Sequence, residues 1–343
     1  MKHFLPIISS ELLSSEFASP DDELTEAQGE TESRVLAFSQ RQHGLRLDQA
    51  LVGLVPEFSR SYLQQLVEGG AVTLQGAVLR KPATRVKAGQ HGSIELRPTL
   101  QSQAFQPEAI PLTLVFSDAH LLVINKPAGL VVHPAPGNWS GTLLNALLAH
   151  DATAATLPRA GIVHRLDKDT SGLMVVARTR PVMDALVLAI AARTVSRQYL
   201  ALVQRPWVGP QSRDIEAPIG RDPRNRLRMA VVDLARSAGK AAKTSVRLID
   251  SSTGGSLVRC TLHTGRTHQI RVHMASIGCP LVGDTLYGGA PDKDLSRQAL
   301  HACRLAFTHP ATGVEMVFYA PLPNDMQAAL TARSLSYNDA RPP

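Results

Sequence analysis

The sequence predicts an α+β protein in two parts, a small α+β module followed by a longer domain built on a mixed or antiparallel sheet with flanking helices. Three observations predict it. Two helical patterns followed by short strands occupy residues 41–97. Beyond them, apolar runs of strand length recur at uneven spacing and are interrupted irregularly by helical patterns, where a doubly wound sheet would alternate regularly. Neither a dinucleotide-binding glycine fingerprint nor an internal repeat is apparent. With 343 residues, 44% hydrophobic and 19% charged, the chain can bury a core, which excludes wholesale disorder, a collagen-like repeat and a pure coiled coil.

Residues 1–33 hold eight acids and one base, Lys2, and show no sustained apolar period, so they read as a disordered acidic tail. In the module at 41–97, a first helix over Leu47–Leu54 stops before Pro56. Ser59 caps a second helix with apolar positions at Tyr62, Leu63, Leu66 and Val67, ended by Gly69-Gly70. Strands follow at Val72–Leu74, Ala77–Leu79 and Ser93–Leu96. Residues 98–110, with two prolines and three glutamines, read as a linker. In the domain at 111–335, strand runs fall at Leu112–Phe116, Leu121–Ile124, Leu173–Ala177, Tyr199–Val203, Ser245–Leu248, Leu257–Leu262 and Glu315–Tyr319. Helical patterns fall at Leu143–Leu148, Pro181–Ala192 and His268–Ile277. Residues 336–343 read as a C-terminal tail.

The net charge of +7 is unevenly placed, because residues 34–343 carry +14 once the acidic leader is set aside. Such an excess on a folded body points toward a polyanion, nucleic acid or an acidic membrane surface, beyond simple solubility. Between Arg193 and Arg247 there are twelve Lys+Arg and four acids, among them Arg221, Arg224, Arg226 and Arg228, a stretch suited to tracking phosphates. The three cysteines show no C-x-x-C spacing, so neither a disulfide framework nor a zinc knuckle is expected, and a reducing cytoplasm fits. No run of 18 apolar residues occurs, and the stretch Phe4–Ile8 contains Pro6 and soon meets acids. A soluble, cytoplasmic protein without a membrane partner is expected.

Two clusters carry the chemistry. His164-Arg165-Leu166-Asp167-Lys168-Asp169-Thr170-Ser171-Gly172 precedes an apolar strand and reads as a loop. Its cations favour ionised carboxylates at Asp167 and Asp169, available as nucleophile or base, while the same residues also suit a turn with surface ion pairs. Gly265-Arg266-Thr267-His268-Gln269-Ile270-Arg271-Val272-His273 precedes a helix. Arg266, His268 and Arg271 suit a cationic pocket for a phosphate or a carboxylate. A metal held by His268 and His273 is disfavoured, because a spacing of five leaves the helical face that i, i+4 zinc motifs use.

In the small module, Leu45-Arg46-Leu47-Asp48, Ser59-Arg60-Ser61 and Val72–Lys81 with Gly76 and Lys81-Pro82 resemble an S4 RNA-binding domain. Its basic residues, Arg60 and Lys81 among them, lie on helix starts and turns where their charges could converge on phosphates, although for these two taken alone a solvated face suits equally. In the longer domain, His164–Gly172 is similar to the H-R-L-D-x-x-T-S-G signature of RluA-type pseudouridine synthases, and Gly265–His273 to their G-R-T-H-Q-I-R-x-H segment. Asn125–Gly129, Val132-His133-Pro134, Asn145–Leu148, Arg197-Gln198-Tyr199, Gly239-Lys240, Gly283–Gly288 and Leu300-His301-Ala302 follow in family order. The resemblance implies isomerisation of uridine in RNA without metal, nucleotide or redox cofactor.

It also implies roles. Asp167 would be the catalytic aspartate, acting at ribose C1′ or assisting 2′ deprotonation to a glycal. Arg271 would pair with it, and Tyr199 would stack on the base and act in proton removal from C5. Arg165 would fill the space left by a flipped uridine. Arg266 and His268 would contact RNA, His164 and Asp169 would support the loop, and Lys126 and His133 would stand behind the contacting residues in a segment that borders the RNA. The S4 module and the run Pro158–Ala177 imply 23S rRNA, free or in a large-subunit precursor, as the partner, at the helix 69 stem-loop. A monomer is the default. Other 23S uridines, a non-catalytic RNA-binding assembly factor and a metal-dependent nuclease are the alternatives.

Overall fold

The computed structural model describes residues 32–97, 102–135, 137–225 and 227–338. Most of the expected acidic leader, residues 98–101 of the expected linker, Arg226 and the last five residues lie outside them. The chain divides into two compact units, Met1–Ala104 and Phe105–Pro343.

In the first unit, helix α1 (Leu47–Leu54) and helix α2 (Arg60–Glu68) pack on a four-stranded antiparallel sheet. Its strands β1 (Glu32–Ala37), β2 (Val72–Leu74), β3 (Ala77–Leu79) and β4 (His91–Leu96) run in the order β1-β4-β2-β3. Ser59 Oγ accepts from Tyr62 N at 3.2 Å and starts α2. Gln75 and Gly76 at the β2–β3 turn both have positive φ, 49° and 80°, the pair a type I′ hairpin requires. Leu47, Leu51, Leu63, Leu66, Val67, Val72 and Ile94 form the core. Asp48 is fully buried and receives Arg46, Arg60 and Gln64, so a single carboxylate ties the two helices together.

Strand β1 was not legible. It begins at Glu32, inside the segment read as tail, and it buries only Leu36 and leaves Val35 exposed, so no alternating pattern marks it.

In the second unit, nine strands form one sheet: β5 (Leu114–Ser117), β6 (Leu121–Lys126), β7 (Ser171–Ala177), β8 (Ser196–Val203), β9 (Ser212–Glu216), β12 (Lys243–Ser252), β13 (Gly255–Leu262), β14 (Leu300–Thr308) and β15 (Glu315–Tyr319). β10 (Ile219–Arg221) and β11 (Met229–Val231) form a separate hairpin. The sheet order is β5-β6-β7-β14-β8-β13-β12-β9, with β15 beside β14. Every pairing is antiparallel except β7 with β14, so the sheet is mixed.

Side-chain alternation divides the core by face. Leu122, Ile124, Met174, Val176, Tyr199 and Ala201 meet helices α3 (Leu143–His150) and α5 (Gln269–Ser276). The intervening residues of β6 and β7, Leu121, Val123, Leu173 and Val175, meet α4 (Arg180–Ala191), and Leu200 and Leu202 meet α6 (Asn324–Thr331). Gly172 has φ +117°, and a Cβ there would stand 2.3 Å from the Ala302 carbonyl oxygen. Only glycine lets β7 approach β14 at the point where the loop His164–Thr170 enters the sheet.

Candidate active site

The loop from His164 to Thr170 is held from several sides. Lys126, 1% exposed, donates from Nζ to the carbonyls of Pro127, Leu130 and Lys168, each at 2.9 Å. Burial pushes its pKa down to about 7, with Asp169 and Asp167 opposing the drop, and three acceptors match the three N–H bonds of an ammonium. Lys126 therefore supports the loop from inside the domain. His164 accepts at Nε2 from Val175 N at 3.1 Å, and burial pushes its pKa down to about 3, so it is a neutral structural imidazole. Arg297 donates to the Asp169 carbonyl, Gln298 to Thr170 Oγ1, and Ser171 Oγ meets His301 Nδ1 at 2.9 Å. Nearly every polar residue of the motif has an anchor, which leaves the Asp167 carboxylate facing out, 17% exposed.

The second cluster is stapled by buried Gln269. Its Oε1 accepts from Thr264 Oγ1 at 2.7 Å and Arg266 N at 3.0 Å, and its Nε2 donates to Lys243 O and Thr244 Oγ1 at 2.9 Å. His268 precedes α5 in the left-handed region, φ +55°. One turn on, Arg271 presents Nη1 to Asp167 Oδ2 at 3.2 Å. Its Nε and Nη2 each donate to Asp284 at 2.8 Å, a bidentate pair with both side chains under a tenth exposed. Burial opposes the charge of Arg271, but the two carboxylates hold its pKa above the usual range. The Tyr287 ring lies 4.9 Å from its guanidinium carbon, and Tyr287 Oη meets His268 Nδ1 at 2.8 Å and accepts from Met229 N. His268 Nε2 stands 4.0 Å from Asp167 Oδ1, and burial lowers its pKa.

The structure thus brings Asp167, Arg271 and His268 together from segments a hundred residues apart. Tyr199 is 5% exposed on β8, and burial pushes its phenol up to about 12, with Arg197 opposing and the Asp167 charge adding to the rise. Arg165 lies at the surface and donates to Thr267 Oγ1 at 3.3 Å, linking the two loops, while Arg266 Nε donates to Ala241 O. Arg228, from the β10–β11 hairpin, stacks over Tyr287 at 5.3 Å. In the first unit, Arg60 is half-exposed and held on Asp48, and Lys81 is exposed. His273 is bound to Thr244 Oγ1 and the Ala217 carbonyl, away from the partners of His268.

Sequence reasoning assigned no role to Asp284, Tyr287 or Arg297. The first two stand in the Gly283–Gly288 motif, so the signal was present without a meaning. Arg197, which the sequence offers either as part of the phosphate-tracking stretch or as a helix C-terminal turn, lies instead buried within strand β8. Among the described residues there is no group of His, Cys, Asp and Glu suited to a metal ion, and no helix is long and apolar enough to cross a membrane.

Comparisons with known proteins identify the family. A family model for RNA pseudouridylate synthase matches residues 120–276, and an S4 domain model matches residues 45–91. The chain is 46% identical to ribosomal large subunit pseudouridine synthase D of Nitrosomonas europaea, over 95% of each chain. It is 48% identical to the protein of the same name from Pseudomonas aeruginosa, over 82% of this chain and 90% of the relative. Human RNA Pseudouridylate Synthase Domain Containing 4 superposes with a TM-score of 0.53 at 25% identity, over 66% of this chain and 94% of that one. With the S4 domain ahead of a mixed sheet that presents an aspartate to an arginine, the chain belongs to the RNA pseudouridylate synthase family.

Proposed function

We propose that this protein isomerises uridine to pseudouridine in 23S rRNA of the large ribosomal subunit, at the helix 69 stem-loop, with Asp167 as the catalytic aspartate. The observation that carries the reading is the contact of Asp167 with Arg271, itself gripped by Asp284. That grip fixes the direction of the Asp167 carboxylate, which stays partly exposed to an incoming substrate. An ionised aspartate serves either route, attack on C1′ of the ribose or assisted removal of the 2′ proton. A uridine reaches the cleft only by leaving its stack, and Arg165, exposed beside Asp167, fills the gap it leaves. Tyr199, with a phenol that stays protonated at neutral pH, stacks on the base and takes part in proton removal from C5 through its hydroxyl. Arg266 and His268 line the approach, and Arg60 and Lys81 supply phosphate contacts from the S4 domain.

The reaction is tested by mapping pseudouridine in 23S rRNA from cells that lack the gene and carry either wild type or Asp167→Asn. Loss of helix 69 sites that only wild type restores is the expected result. Restoration by Asp167→Asn sinks the catalytic assignment, and loss at other uridines moves the substrate elsewhere in 23S rRNA. We further propose a cytoplasmic monomer. The absence of a C-x-x-C pair or an apolar run of membrane length supports the location, and light scattering of the purified protein tests the monomer.

A further inference from the structure

Arg197 stands two residues before Tyr199 on β8, so strand alternation sends both side chains to the same face. It is 7% exposed, its Nε has no hydrogen-bond partner, and no carboxylate pairs with it among the described residues. Both functional loops reach it. A Cβ on Gly265 would lie 3.0 Å from Arg197 Nη1, so the absence of a side chain there leaves room for the guanidinium. On the other loop, burial lowers the pKa of His164 and the Arg197 charge adds to the drop. A buried cation with no counter-charge is costly to keep, and such groups occur where a ligand supplies the missing acceptor.

The reaction supplies one. Breaking the N1–C1′ bond leaves the electron pair on uracil, whose negative charge spreads onto O2 and O4. C5 then bonds to C1′, the C5 proton leaves, and N1 takes up a proton. We propose that Arg197 contacts the substrate, its guanidinium donating to a carbonyl oxygen of the flipped uracil and stabilising the charge the detached base carries. This rests on the isomerase reading above. A backbone phosphate is the poorer occupant, because it stays at the solvent-facing rim while Arg197 lies under both loops beside Tyr199.

The test uses the full chain and a uridine-containing helix 69 stem-loop RNA, with kcat and Kd measured for wild type, Arg197→Lys and Arg197→Met. Removing one donor aimed at developing charge typically costs about 100-fold or more in rate. Arg197→Met is expected to lose roughly that in kcat, with Kd within about twofold, and Arg197→Lys, which keeps the charge, to lose about 10-fold. Gly265→Ala keeps Arg197 but crowds its guanidinium, and it is expected to lower kcat at unchanged Kd, so the proposal stays testable if Arg197→Met does not fold. Unchanged kcat in Arg197→Met, or a Met variant as fast as the Lys variant, overturns the proposal, since packing alone would favour Met. Weaker binding with unchanged kcat and a salt slope shallower by about 0.7 makes Arg197 a phosphate contact and also overturns it. Asp167→Asn is assayed alongside: an active Asp167→Asn means that the isomerase reading has failed, independently of Arg197.

Discussion

Replacing Lys126 with methionine keeps the length of the side chain and removes its ammonium. Three carbonyls, of Pro127, Leu130 and Lys168, then lose their donor in the interior. Hydrogen bonds to a charged group contribute about 1.5–3 kcal/mol each, and relief of the buried charge returns several kcal/mol, which leaves a net loss of about 3 kcal/mol. For a domain of this size, with about 2–4 °C of Tm per kcal/mol, the second unit should melt roughly 6–12 °C lower. The Lys168 carbonyl adjoins Asp167 and also accepts from Gly129 N at 3.0 Å, so the same change loosens the segment that aims the carboxylate. A displacement of about 1 Å at a reacting group costs on the order of 100-fold, and kcat should fall by about 10- to 100-fold. Calorimetry and single-turnover isomerisation of a stem-loop RNA measure the two effects. A variant within about 2 °C of wild type and equally active would refute the claim that Lys126 clamps the loop.

Asp284→Asn leaves the Arg271 guanidinium buried with one carboxylate instead of two, at about 3 kcal/mol of stability; an unchanged urea midpoint would show that the clamp contributes nothing. Burial holds His164 near 3 and His133 and His301 near 4 against 6.5 in the unfolded chain. Unfolded histidines therefore take up protons that the folded ones refuse, and stability present above pH 6.5 is lost as pH falls toward 4, which urea midpoints at pH 7.5 and 4.5 will detect as a fall. In the S4 unit, Asp48→Asn weakens the tie to Arg46 and Arg60, and because both arginines are half-exposed the expected cost is about 2 kcal/mol, measured by hydrogen exchange in α1 and α2.

Much of the scaffold was legible where local chemistry agrees with the fold. Leu47–Leu54 and Ser59 mark α1 and the start of α2 as read, and Glu315–Tyr319 is a strand as read. β14 was quoted only as the motif Leu300-His301-Ala302, because a bulge between Ala302 and Arg304 breaks its alternation and puts a polar residue out of phase. In the site, each cluster was visible as a cluster. The contact between Asp167 and Arg271, 104 residues apart, came from family resemblance and not from any local pattern. Asp284 was silent because an aspartate after glycine reads as a turn residue, and only the tertiary fold turns it onto Arg271. The clamp made by Lys126 was not legible because lysine is normally exposed, and its burial becomes possible only where three backbone carbonyls converge.

The position of β14 has a consequence for synthesis. The strand at the middle of the sheet, between β7 and β8, is among the last to leave the ribosome, since it spans residues 300–308. Until it arrives, β7 and β8 share no ladder, and the strand that carries Tyr199 is not joined to the one that follows the Asp167 loop. Such a high contact order delays closure of the sheet until the chain is nearly complete. A chain stopped before residue 300 therefore leaves two half-sheets with open edges that are prone to aggregate.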